Sequence, residues 1–130
     1  MRSATTVGKR VLFGLAVGAA LAVIPAFADP SLTDQGSNAY MVYVAGDGFT
    51  PNTQVYVAAY DSFTNVKLQS GWVTTDFLGC TQYGCLGGSF QYSGADTTPC
   101  SGYGRQVWAW DSTALAWTGP LHVSCFTNPW

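Results

Sequence analysis

The 130-residue chain carries five Lys or Arg and seven Asp, a net charge of −2, with 15% aromatic and only 9% charged residues. Beyond residue 28 only Lys67 and Arg105 remain against the seven Asp, a net charge of −5, and there is no Glu anywhere. Two cations cannot form the patch that a nucleic-acid binder needs on phosphates, and an anionic membrane surface is disfavoured for the same reason.

The N-terminus reads as a cleaved secretory signal over residues 1–28. Arg2, Lys9 and Arg10 precede an apolar stretch from Val11 to Ile24, followed by Pro25 and Ala26-Phe27-Ala28 before the polar Asp29-Pro30. A positive start, a short apolar core and small residues at −3 and −1 predict cleavage after Ala28. N-terminal sequencing of the secreted protein is then expected to begin at Asp29. The apolar core is shorter than the roughly 20 residues of a membrane span, so no membrane insertion is expected after cleavage. The remaining 102 residues suit one domain with a modest core that profits from covalent staples. Residues 29–37 are expected to be a flexible lead-in, 38–126 the folded domain and 127–130 a tail.

Period-two segments separated by Gly, Pro, Asn, Asp and Ser then predict strands joined by turns. In chain order they are Asn38 to Ala45, Gln54 to Tyr60, about Val66 to Thr74, Ser89 to Ser93, Arg105 to Asp111, and about Thr118 to Cys125. A further short strand has room near Ser31-Leu32 or within 94–100. Gly46-Asp47-Gly48 and Thr50-Pro51-Asn52 break the chain after the first strand. Cys80 to Gly88 reads as a glycine-containing loop. Six or seven short strands in about 100 residues suggest an all-β sandwich.

Alternation pairs Val55, Val57 and Ala59 on one face of the second strand against Tyr56, Ala58 and Tyr60 on the other. In 105–111, Val107 and Ala109 oppose Trp108 and Trp110. Small aliphatic residues suit a tight interior, which leaves the aromatic rows outward. Trp and Tyr also bury well, so the reverse assignment stays open at this stage.

The four cysteines, Cys80, Cys85, Cys100 and Cys125, read as two disulfides in an exported chain. Their spacing fits no zinc pattern, and the single histidine, His122, is far in sequence from the Cys80/Cys85 pair. Strands 105–111 and 118–125 form a hairpin centred near Thr113-Ala114. Folding the chain about that point brings residue 100 close to Cys125, which shares parity with Leu121 and Val123. The expected bridges are therefore Cys100–Cys125 and Cys80–Cys85, the latter closed by a turn at Gly84.

The stretch Val44-Ala45-Gly46-Asp47-Gly48-Phe49-Thr50-Pro51-Asn52-Thr53-Gln54-Val55-Tyr56-Val57 resembles the opening of secreted bacterial immunoglobulin-like modules. In those modules a Gly-x-Gly-Phe-x-Pro turn precedes a strand with inward valines. Gln106 to Asp111, followed by Trp117 to Leu121, looks like the family's last hairpin, while residues 62–104 match poorly. The resemblance implies an immunoglobulin-like antiparallel β-sandwich with outward aromatics, and hardly specifies a function. A narrower resemblance is to the neocarzinostatin-type apoproteins, which implies carriage of a small-molecule chromophore. It rests on Val44 to Gln54 and on Cys80-Thr81-Gln82-Tyr83-Gly84-Cys85. That loop sits before the fourth strand here, and the family's early cysteine pair has no counterpart.

No catalytic constellation stands out. The Asp residues fall in turns and at strand ends, where Asp bends and caps the backbone. His122 alternates with Leu121 and Val123 and is expected to face solvent. Asp61 and Asn65 fit no compact calcium loop. No metal or other cofactor is expected, and the chain reads as a non-enzyme. The expected function is an extracellular binding or structural module. Its candidate ligand-binding residues are Tyr56, Tyr60, Trp108 and Trp110, with a glycan or a protein as partner; a small-molecule carrier is the alternative.

Overall fold

A computed structural model describes residues 29–125. The expected signal, 1–28, and the tail, 127–130, lie outside the described residues. Every regular element among those described is a strand: β1 (Ser31–Asp34), β2 (Met41–Asp47), β3 (Gln54–Asp61), β4 (Lys67–Thr74), β5 (Phe77–Thr81), β6 (Gly84–Gly87), β7 (Phe90–Ala95), β8 (Arg105–Asp111) and β9 (Ala116–Val123). They form a four-stranded sheet in the order β9-β8-β3-β4, a three-stranded sheet β1-β2-β7, and a two-stranded β5-β6 pair. The two larger sheets are antiparallel throughout.

One core joins these two sheets. Val42, Val44, Phe90 and Tyr92 come from the three-stranded sheet, and Val55, Val57, Ala59, Val107, Ala109 and Val123 from the four-stranded one. β8 shows why: Arg105, Val107, Ala109 and Asp111 are buried, while Gln106, Trp108 and Trp110 between them are half-exposed. A pleated strand sends alternate side chains to opposite faces, so each buried valine contributes about 1.5–3 kcal/mol while its neighbours stay outside. The small aliphatic residues face inward and the aromatic rows outward, the first of the two assignments the sequence allowed.

Buried polar groups tie the sheets at one end. Arg105 and Asp96 form an ion pair with both side chains almost inaccessible. Arg105 also donates from Nη1 to Ser124 O (3.0 Å) and from Nη2 to Asn38 O (2.6 Å). Asp96 Oδ1 accepts from Gln69 Nε2 (2.6 Å), and Gln69 Oε1 accepts from the Tyr92 hydroxyl (2.9 Å). Burial, then the potential of Tyr56 and Asp96, pushes the Tyr92 phenol up, so it stays protonated as a donor.

Gly46 and Asp47 continue β2 instead of breaking the chain, and three further segments differ from the sequence reading. Residues 29–37 are not a loose lead-in throughout, because β1 pairs with β2 and Leu32 packs on the core. The expected loop Cys80–Gly88 is largely the β5-β6 pair. Phe77, Leu78 and Leu86 are exposed there, so no alternation marked it as strand. β9 starts at Ala116, ahead of the expected Thr118, and a register shift between Thr118 and Leu121 preserves its pairing with β8.

Candidate functional site

β3 and β8 are the central strands of the four-stranded sheet, and their outward positions hold Tyr56, Ala58 and Tyr60 beside Trp110, Trp108 and Gln106. The register lines up one ring on each of the four strands. Trp72 lies opposite Tyr56, Tyr56 opposite Trp110, and Trp110 opposite Trp117. Ring centroids are 5.2 Å apart for Tyr56–Trp72, 5.3 Å for Trp110–Trp117 and 6.5 Å for Tyr56–Trp117, all tilted or edge-on. Such non-parallel contacts are the favoured geometry for aromatic pairs and hold the rings as a unit.

Beside this row lies Ala58, flanked by Trp108 and Ser70. Ala58 is fully buried although it points away from the core, because the neighbouring rings cover it. A slot of about 280 Å³ is lined by Tyr60, Trp108 and Trp117. Gly119 keeps its side clear: a Cβ there would meet Val107 O at 2.8 Å and Trp108 Cε3 at 3.2 Å, and its φ of 133° suits only glycine. Beyond the slot, Gln106 stands opposite both Tyr60 and His122, which is exposed.

All four residues singled out from sequence thus share one face. Tyr56, Tyr60, Trp108 and Trp110 are half-buried, however, and the most exposed rings on that face are Trp72 (56%) and Trp117 (51%), which the sequence reading left out. Trp117 was within reach, since a hairpin centred near Thr113-Ala114 puts it opposite Trp110. Trp72 needed the β3–β4 register, which shifts at Ala59/Tyr60 and follows from no local pattern.

The face is electrically quiet. Its outward side chains are Tyr, Trp, Ser, Thr, Gln, Ala and His, with a single Lys opposite Tyr60 and no carboxylate. Lys67, the one exposed Lys or Arg among the described residues, donates to the Tyr56 hydroxyl at 3.3 Å. A hydrogen bond with Ser70 lowers the Tyr56 phenol pKa; burial opposes the shift and Lys67 adds to it.

The carboxylates with perturbed pKa values are occupied elsewhere. Burial opposes ionisation of Asp61, but hydrogen bonds outweigh it. Phe63 N (2.8 Å), Thr64 N (3.1 Å) and the Ser101 hydroxyl (2.9 Å) donate to Oδ1, and Ser101 N (2.8 Å) donates to Oδ2. Together they hold its pKa at about 2. Asp111 is likewise lowered against burial, by Thr113 N and Ala114 N on Oδ1 and by Thr50 N and Oγ1 on Oδ2. Both are turn-holding groups with their oxygens engaged. Asn65 turns at φ 60° and donates its N–H to Asp61 O, serving the same loop.

The cysteines pair as Cys80–Cys85, with Cα atoms 3.8 Å apart, and Cys100–Cys125, 5.7 Å apart. Cys125 is buried, whereas Cys80 and Cys85 are exposed. No known family model, curated protein or solved structure matches this chain.

Proposed function

We propose that this chain is an exported, non-catalytic immunoglobulin-like sandwich that binds a neutral extracellular glycan through its aromatic sheet face. The observation that carries the binding reading is the row Trp72–Tyr56–Trp110–Trp117, one ring per strand across the whole sheet. Flat aromatic faces stack on the C–H faces of sugar rings, and the polar tips of Trp and Tyr hydrogen-bond to hydroxyls. The outward side chains hold no carboxylate and one cation, Lys67, which donates to the Tyr56 hydroxyl, so recognition rests on the rings and on neutral polar groups. The immunoglobulin-like reading is supported by strand order: β1-β2-β7 and β9-β8-β3-β4 correspond to the A-B-E and G-F-C-C′ arrangement of that fold. Export is supported by two disulfides, which persist in oxidising compartments.

The test is a glycan array followed by titration of Trp72→Ala/Trp117→Ala. These rings are half-exposed, so the variant is expected to melt close to the parent while binding at least about tenfold more weakly, equal to about 1.4 kcal/mol. Undiminished affinity would remove the aromatic face from the function. The apolar slot at Tyr60, Trp108 and Trp117 favours a second reading, a small-molecule carrier. A chromophore co-purifying from the native host, with no glycan binding, would select it.

A further inference from the structure

We infer that the binding surface continues past the sheet onto Phe63 and Tyr103, and that the ligand is a glycan chain rather than a single sugar. This rests on the glycan reading above. Phe63 follows β3 and Tyr103 precedes β8, so the two lie at one end of the strands that carry Tyr56, Tyr60, Trp108 and Trp110. Their rings stack at 4.7 Å with an interplanar angle of 17°, yet Phe63 is 68% and Tyr103 71% exposed. Rings so open to water add little to the core, and their outer faces stay free to stack on a further ring.

The platform is rigid. Asp61 accepts four hydrogen bonds from Phe63, Thr64 and Ser101, fastening the β3–β4 loop to the segment before β8. Ser62 N donates to Gly104 O at 2.9 Å, and Tyr103 N to the Ser101 hydroxyl at 3.3 Å. Cys100, next to Ser101, is anchored to Cys125. Loops held in this way lose little entropy on binding.

Gln106 and His122 lie between the two aromatic groups. Tyr60 stands opposite Gln106 and Gln106 opposite His122, and a groove of about 300 Å³ is lined by His122 and Tyr103 together. From Trp110 to Arg105 the strand runs about 17 Å, with Tyr103 beyond it. A track of that length exceeds a single sugar ring.

The test uses β-1,4-linked glucose and N-acetylglucosamine oligomers of one to six sugars, together with any backbone selected by the array, titrated calorimetrically. The parent is expected to bind more tightly as the chain lengthens. Phe63→Ala/Tyr103→Ala is expected to match the parent on the shortest oligomer bound and to lose at least about tenfold on the longest. Phe63→Leu/Tyr103→Leu keeps an apolar cover over the loops without flat faces and is expected to show the same loss, which separates stacking from folding. An unchanged length dependence in both variants would overturn the extended track while leaving Trp72 and Trp117 as the site. Failure of the parent to bind any oligomer or arrayed glycan would overturn the glycan reading itself, and the extended track with it.

Discussion

Arg105 is one of two cations beyond residue 28, and it is fully buried. A guanidinium is tolerated there because Asp96, Asn38 O and Ser124 O satisfy it from three sides. Removing one partner of a buried ion pair leaves the other charge uncompensated, at a cost of about 3–5 kcal/mol. Asp96→Ala is therefore expected to lose that much in urea unfolding; a loss under about 1 kcal/mol would mean that water reaches Arg105. Asp61 links a side chain to pH. Its folded pKa of about 2 lies below the ordinary 3.8, so on acidification the unfolded chain takes up the proton first. Its stabilisation is fully present above about pH 4 and is lost as pH falls towards 2, with Asp111 shifted in the same direction. Asp61→Asn is expected to flatten the stability–pH curve in that window, measured by thermal melts between pH 2 and 5. The turn role of both aspartates was legible from their strand-end positions. The Arg105–Asp96 pair was not, although parity with Val107 points Arg105 inward.

Among the elements, the β8–β9 hairpin was the most legible from sequence. Its pairing of Ala116 with Asp111 centres it between Thr113 and Ala114, and that register carries Cys125 to Cys100. The two bridges differ in consequence. In the chain-entropy account, closing the 25-residue separation stabilises by roughly 3.5 kcal/mol and the 5-residue one by roughly 2. Cys100→Ala/Cys125→Ala is expected to lower the melting temperature more than Cys80→Ala/Cys85→Ala. Mild reductant is expected to open the exposed Cys80–Cys85 bridge first, as read by non-reducing peptide mapping. A peptide joining Cys80 or Cys85 to Cys100 or Cys125 would contradict both the bridges and the hairpin register. β5 and β6 escaped the sequence reading for the converse reason: their apolar side chains are exposed, so no inward-outward alternation marked them.

At the scale of the whole molecule, the aromatic face serves stability and surface together. Trp108 and Trp110 are half-buried and screen Ala58, so they are not the freely replaceable surface positions that outward parity alone suggests. Trp108→Ala/Trp110→Ala is expected to cost about 2 kcal/mol per ring, between the roughly 0.5 of a surface change and the 3–5 of a buried one. Trp72→Ala/Trp117→Ala is expected to cost clearly less in the same thermal melts, and equal losses would place all four rings in one structural layer. Sequence alone determined the all-β class, which residues of β3 and of β8 share a face, and the hairpin that sets the second disulfide. Each of these depends on period-two alternation or a turn within one short window, which the pleat reads locally. Only the tertiary structure decided that β3 lies beside β8 and β2 beside β7. Those neighbours are distant in sequence, and the four-ring row and the Arg105–Asp96 pair exist only where packing brings such strands together.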